Sequence, residues 1–232
     1  MSMELYPKKV LTSFLYLILF LLAANIAGII SKHFLGHGSL FGVIPMFDFD
    51  DEQNIPTLFS SFAILLSSIL LSVIAYTQKK LGSPYISWLI LAVIFLFLSI
   101  DEISLIHERL AIILRGTLNT SGIFYYAWVI PYGIALIAFV ALYAKFLFRL
   151  PKNIMYLFIL SGTIYVTGVL GFELLGGMES TAHNEATLKF SILYTLEELF
   201  EMVGIAIFIY TLLLYMVTEY KFFTLTIKKQ GN

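Results

Sequence analysis

YISWLILAVIFLFLSIDEISLIHE, residues 85–108 of the chain, joins a run of apolar residues to a group of ionisable ones. The apolar part, residues 85–100, approaches the length of about 20 residues with which a helix crosses a membrane. Asp101, Glu102, His107 and Glu108 follow it directly. Charged groups near lipid are expensive and by default mark functional positions. The stretch therefore predicts a spanning helix with a functional site at its end.

The whole chain has the same apolar character. Of its 232 residues, 59% are hydrophobic and 12% are charged, and the mean hydropathy is +0.91. A soluble domain has about 25% charged residues. We therefore predict an all-α polytopic membrane protein, with a single transmembrane domain over residues 1–232 that forms a six-transmembrane-helix bundle. The predicted helices cover residues 10–30, 56–76, 84–107, 123–146, 154–175 and 190–215, and Gly176-Gly177 is expected to end the fifth.

The basic residues predict the orientation of this bundle. With both termini on one side of the membrane, that side receives ten of the fourteen Lys and Arg residues. Thirteen of the fifteen acidic residues and all four histidines fall on the other side, or on the helix ends that face it. Cytoplasmic loops carry an excess of Lys and Arg. Both termini are therefore predicted to be cytoplasmic, and the acidic groups are predicted to lie near the extracytoplasmic face.

A second acidic group, in residues 194–202, lies near the start of the sixth predicted helix. Because neighbouring helices run antiparallel, this group and residues 101–108 are expected at similar depth, with Glu173 of the fifth helix beside them. If the third helix continues past His107, Asp101 and Glu108 share one of its faces. Glu102 is then expected to point away from that face, toward Arg109.

Carboxylates at one depth repel one another unless a metal, shared protons or local bases neutralise them. Oxygen ligands with an imidazole suit zinc, iron or manganese, so a divalent metal is one predicted cofactor. The chain has no cysteine, which excludes thiolate and iron–sulfur sites, and no haem or nucleotide motif is evident. The predicted metal ligands are Asp101, His107, Glu108, Glu197 and Glu201, and the predicted catalytic proton acceptors are Glu198 and Glu173.

A structural alternative is open for the same residues. The acids at the ends of the third and sixth helices also fit a hydrated helix end, paired with Arg109 and Arg115 or stabilised by the helix dipole. The acidic segment Phe47–Glu52 is expected to be a solvated loop. Tyr125, Tyr126, Trp128 and Tyr132 are expected to form an aromatic belt at the membrane interface.

Three segments of the chain resemble a group of bacterial multi-pass inner-membrane proteins of unassigned function. They are Asp50–Ser61, with Asn54-Ile55-Pro56-Thr57 and Phe59-Ser60-Ser61, Leu98–Glu108, and Leu196–Met202. The resemblance implies a bacterial inner membrane and supplies no activity. Six-transmembrane hydrolases of the ceramidase and adiponectin-receptor type offer an analogy only, because the chain lacks their His-x-x-x-His motif.

These observations support three hypotheses about function. In the first, the carboxylate and histidine cluster is a metal-dependent enzyme site that faces the extracytoplasmic side and acts on a lipid or another membrane-embedded substrate. In the second, the same acids bind a cation or proton in a transporter. In the third, the chain is a non-catalytic membrane subunit. The expected partners are membrane lipids and a second copy or a partner subunit, without nucleic acid.

Overall fold

The computed structural model describes residues 6–183 and 185–220, where all regular secondary structure is helical. A 3-10 turn, Gly122–Phe124, precedes α5, and the π-helical segment Thr167–Phe172 joins α6 to α7 without a break. The prediction of an all-α chain is confirmed for the described residues. The helices are α1 (Pro7–Phe34), α2 (Ile55–Lys80), α3 (Ile86–Ser104), α4 (Ile106–Leu118), α5 (Val129–Leu147), α6 (Lys152–Val166), α7 (Glu173–His183) and α8 (Leu188–Tyr220).

Six helices in these residues are long and apolar enough to cross a membrane, which is the number predicted. They are α1, α2, α3, α5, the continuous helix formed by α6 and α7, and α8. Most observed ends lie within a few residues of the predicted ones. The start of α2 shows why a helix end can be predicted from sequence. Asn54, just before the helix, accepts a hydrogen bond from the Thr57 N–H (3.2 Å), and Pro56 occupies the first turn.

Several predicted helix ends are wrong. The fourth helix starts at Val129 rather than at residue 123, and the sixth continues to Tyr220 rather than ending at residue 215. Two further differences lie close to the candidate site. The third helix ends at Ser104 and does not run through His107. The fifth passes through Gly176-Gly177 and continues to His183. These glycines are buried, and a Cβ on Gly177 would lie 3.0 Å from the Gly122 carbonyl oxygen. They therefore admit the 3-10 turn against α7, where we had expected them to stop the helix.

Helix α8 is the centre of the bundle and packs against α1, α2, α6 and α7. Its buried face includes Met202, Ile209 and Leu212. Two glycines bring α8 into close contact with the helix beside it: a Cβ on Gly204 would lie 2.8 Å from the Tyr165 nitrogen, and one on Gly168 would lie 2.7 Å from the Glu197 carbonyl oxygen. Small residues allow this approach between membrane helices.

The loop between α1 and α2 is attached to the bundle by one buried amide. Asn25 lies in the apolar part of α1 and is 1% exposed. Its Nδ2 donates to Thr195 Oγ1 of α8 (2.9 Å), and its Oδ1 accepts from the Phe49 N–H (3.0 Å). Asn54 holds the same loop by donating to the carbonyl oxygens of Asp48 (2.6 Å) and Pro45 (3.1 Å). These bonds hold residues 45–54 over the end of the bundle where α1 ends and α8 begins.

We expect Gly168→Ala and Gly204→Ala each to destabilise the bundle by roughly 1–3 kcal/mol, because each added methyl group overpacks the contact with its neighbour. Gly162→Ala is the matched control, since a Cβ there meets nothing within 4 Å. Thermal unfolding in detergent measures the effect. Equal melting temperatures for all three variants would contradict the close helix contact.

We expect Asn25→Leu to destabilise the protein by roughly 1–3 kcal/mol, because it removes a buried bridge and leaves the Phe49 N–H without its acceptor. Residues 35–54 should then be cut by protease faster than in the wild type. Ser39→Ala is the control in the same loop, since its hydroxyl makes an exposed bond to the Gly42 N–H (3.2 Å). Unchanged proteolysis of Asn25→Leu would show that the amide does not hold the loop.

Candidate functional site

A polar cavity of about 440 Å³ lies at the end of the bundle where α3 ends and α8 begins, beneath the loop that Asn25 holds. All seven predicted site residues line it. Their side chains come from four helices and meet in one enclosed space, as expected from their similar depth. The ionisable residues of the wall, tyrosines aside, are Asp50, Glu52, Asp101, Glu102, His107, Glu108, Glu173, Glu185, Glu197, Glu198 and Glu201.

The chain turns sharply between Asp101 and His107. Leu105 adopts a left-handed conformation (φ +56°), which ends α3 and begins α4 at Ile106. This conformation is unfavourable for a residue with a side chain. The Asp101 carboxylate stabilises the turn by accepting a hydrogen bond from the His107 N–H (2.9 Å). The expectation of one straight helix through His107 is therefore corrected, although the turn still leaves Asp101 and Glu108 in one cavity.

Asp101 also orients the imidazole of His107. Its Oδ2 lies 3.4 Å from His107 Nδ1 and accepts a hydrogen bond from the Tyr132 hydroxyl (2.9 Å). Nε2, on the other side of the ring, is 3.9 Å from Glu108 Oε1. A carboxylate on one nitrogen of a histidine commonly leaves the other nitrogen for a metal.

Glu52, His107 and Glu108 form the group whose geometry best fits a metal. One potential ligand atom from each lies within 4.8 Å of the other two. Glu52 is exposed and the other two residues are half-buried, so the group lies at the mouth of the cavity. His107 and Glu108 were predicted as ligands, but Glu52 was not.

The pKa values of the ionisable groups at the cavity mouth are shifted by the surrounding carboxylates and by loss of solvent. Burial alone would lower the pKa of His107, but the hydrogen bond that its ring donates to Asp101 and the charges of Asp101, Glu108 and Glu52 outweigh this effect and raise the pKa to about 9. Glu52 is exposed as a residue, but its carboxyl group faces the cavity, where loss of solvent raises its pKa to about 7, with His107 opposing the shift and Glu108 and Asp101 adding to it. Burial and the nearby Asp48 raise the pKa of Asp50 to about 7 as well.

A second group of carboxylates lies deeper in the cavity and includes Glu197, Glu198 and Glu201 of α8. The carboxyl groups of Glu173 and Glu197 are within hydrogen-bonding reach of each other. Two carboxyl groups this close require a shared proton or a cation. Within residues 6–183 and 185–220, no Lys or Arg forms an ion pair with any of these acids.

Glu102 belongs to this inner group, contrary to the expectation that it points away toward Arg109. It lines the cavity, and the described residues contain no ion pair between Glu102 and Arg109. The turn at Leu105 explains the difference, because Arg109 lies on α4, which does not continue the axis of α3. Within the described residues, the acids of the cavity wall therefore form no ion pair with Arg109 or Arg115. The hydrated-end alternative relied on such pairs.

Aromatic residues expected at the membrane interface form part of the cavity wall. Trp128 is 4% exposed, and its Nε1 donates to Glu173 Oε1 (2.7 Å). Its ring packs edge-on against His107 and Tyr132, each with centroids 5.1 Å away. The spacing of four between Trp128 and Tyr132 was a signal for one shared helical face. Their polar atoms bind the two carboxylates that position the site.

The segment Phe47–Glu52 is only in part the solvated loop that was predicted, since Asp50, Asp51 and Glu52 are exposed but Asp48 and Phe49 are buried. Phe49 is 5% exposed, and Asp50 and Glu52 line the cavity. The buried side chain of Asn25 explains this placement, because it bonds Phe49 directly. Asn25 is a polar residue within an apolar run of the sequence. This was the available signal that its side chain makes a buried contact with another segment.

Comparisons with known proteins give a family without an activity. A search of curated proteins and a search of solved structures each found no match. One family model, described as a domain of unknown function (DUF8692), matches residues 13–216. The match includes every residue of the cavity wall and agrees with the expected relation to an uncharacterised family. The chain therefore belongs to the DUF8692 family.

Proposed function

We propose that this protein is an integral membrane enzyme that uses a divalent metal to act on a membrane-embedded substrate. The observation that carries the proposal is the convergence of Glu52, His107 and Glu108 at the mouth of an acidic cavity. Three protein ligands would leave a coordination position for water or substrate, as in catalytic metal sites.

The proposed setting is a bacterial inner membrane with both termini in the cytoplasm. Two arguments support it: the six apolar helices and the distribution of Lys and Arg between the two sides. With this orientation the cavity faces the extracytoplasmic side. Substrate would then enter from the outer leaflet or from the extracytoplasmic space.

The proposed ligands are Glu52, His107 and Glu108, with Asp101 holding the ring of His107. A bound zinc, iron or manganese ion would polarise a substrate oxygen or lower the pKa of a bound water. Glu198 and Glu173 remain the proposed proton acceptors. Glu197 and Glu201, also predicted as ligands, line the deeper part of the same cavity and do not belong to this three-residue group.

Cation transport is the second candidate, because the cavity wall has many acids and little positive charge. A transport pathway also needs polar groups toward the cytoplasmic side. Below the cavity, between α3, α5, α6 and α8, the open space has an almost wholly apolar wall. This favours an enzyme, and uptake of a divalent cation by proteoliposomes would reverse the preference.

Purification without chelator should give about one metal ion per chain by mass spectrometry. Glu52→Gln, His107→Ala and Glu108→Gln should each remove most of it, because each deletes a ligand. His37→Ala and Glu219→Gln are matched controls, since neither residue lines the cavity. Full metal content in the three ligand variants, or none in the wild type, would refute the proposed site.

Asp101→Asn should weaken metal binding about 10- to 100-fold, because the histidine loses the carboxylate that orients it. Tyr132→Phe should have a smaller effect, since it removes one donor from Asp101 and leaves the contact with His107. Competition with a chelator of known affinity measures both. Equal affinities for Asp101→Asn and the wild type would show that Asp101 does not support the ligand.

A further inference from the structure

An apolar groove of about 490 Å³ runs along the bundle between α3, α5, α6 and α8. Its wall includes Leu91, Phe95, Val140, Phe158 and Phe208. Small-molecule sites commonly measure about 300–1,000 Å³, so the groove has room for a ligand. Because its four helices are all long and apolar enough to cross a membrane, the surrounding medium would supply alkyl chains.

The groove adjoins the polar cavity. Leu98 of α3 and Tyr165 of α6 line both spaces. Along α5 the groove extends from Leu136 to Leu147, which is about 16 Å at 1.5 Å per residue. This is close to half the roughly 30 Å thickness of the hydrocarbon core. An alkyl chain from one leaflet therefore fits its length.

The charge of the cavity indicates what kind of polar head would lie above such a chain. Ten acidic residues line the cavity, with His107 as the one basic residue of its wall in the part of the chain that the structure describes. Even with one divalent metal bound, carboxylates remain in excess. An anionic head would be repelled, whereas hydroxyl or ammonium groups would find acceptors on several carboxylates.

We propose that the groove and the cavity together bind one membrane lipid, with its alkyl chain in the groove and a neutral or cationic head at the acids and the metal group. This inference rests on the proposed function and specifies its substrate class. Tyr165 would lie where head and chain join. The reacting bond would then be in the head, beside Glu108 and His107.

The test is photolabelling with an 18-carbon monoacylglycerol that carries a diazirine near the end of its chain, on purified full-length protein in detergent. Labelled residues are identified by tandem mass spectrometry. Label should appear on half-buried residues of the groove wall, such as Phe158 or Phe95, and should be competed by unlabelled monoacylglycerol. Label confined to outward-facing residues would overturn the proposal.

Two groove-filling variants and one control sharpen this test. Val140→Phe and Gly162→Leu add side-chain volume to the wall and should lower competable labelling about tenfold. Ile137→Phe is the matched control on α5, because Ile137 is 72% exposed and does not line the groove. Equal labelling of the groove-filling variants and Ile137→Phe would overturn the assignment of the groove to the chain.

The head is tested by competition with ligands of the same chain length. Monoacylglycerol and the alkylamine should compete, and the fatty acid should need about tenfold more. If the fatty acid competes equally well, the neutral or cationic head is wrong.

Metal content, measured on the same samples, separates this inference from the proposed function. Metal retained without groove labelling would refute only the lipid, and groove labelling in protein without metal would refute only the metal-dependent function.

Discussion

The contact between Asp101 and His107 is the interaction on which the candidate site depends. One oxygen of the Asp101 carboxylate accepts a hydrogen bond from the N–H of His107, the second residue of α4, and the other oxygen lies 3.4 Å from the imidazole Nδ1 of the same residue. This contact stabilises the unfavourable turn at Leu105 and leaves Nε2 on the side of Glu108.

The contents of the cavity followed from the sequence because the physical constraint on them is strong. Acids at the ends of several apolar helices cannot face lipid, and the antiparallel arrangement of neighbouring helices places them at one depth. Asp101, Glu173 and Glu201 therefore had to meet in the interior or reach water. The family match is consistent with the expected resemblance, but it carries no chemistry that could have sharpened the assignment.

What the sequence did not reveal depends on long-range contacts. Glu52 joins His107 because Asn25, in a different helix, holds the loop before α2. Glu102 faces inward because the turn at Leu105 separates it from Arg109. Trp128 and Tyr132 face the acids although aromatic residues at helix ends usually lie at the interface. The hydrophobic periodicity of a segment predicts which of its residues share a face. It does not predict which residues of another segment that face will contact.

The π-helical segment Thr167–Phe172 has a consequence for how the inner acids are positioned. A π-helical turn accommodates one residue more than an α-helical turn. All residues beyond it are consequently rotated by about 100° relative to an uninterrupted α-helix. The direction in which each side chain of α7 points, beginning with Glu173, therefore depends on this extra residue. Deleting one residue from the segment would preserve the hydrophobicity and nearly the length of the span, yet turn Glu173 away from Trp128.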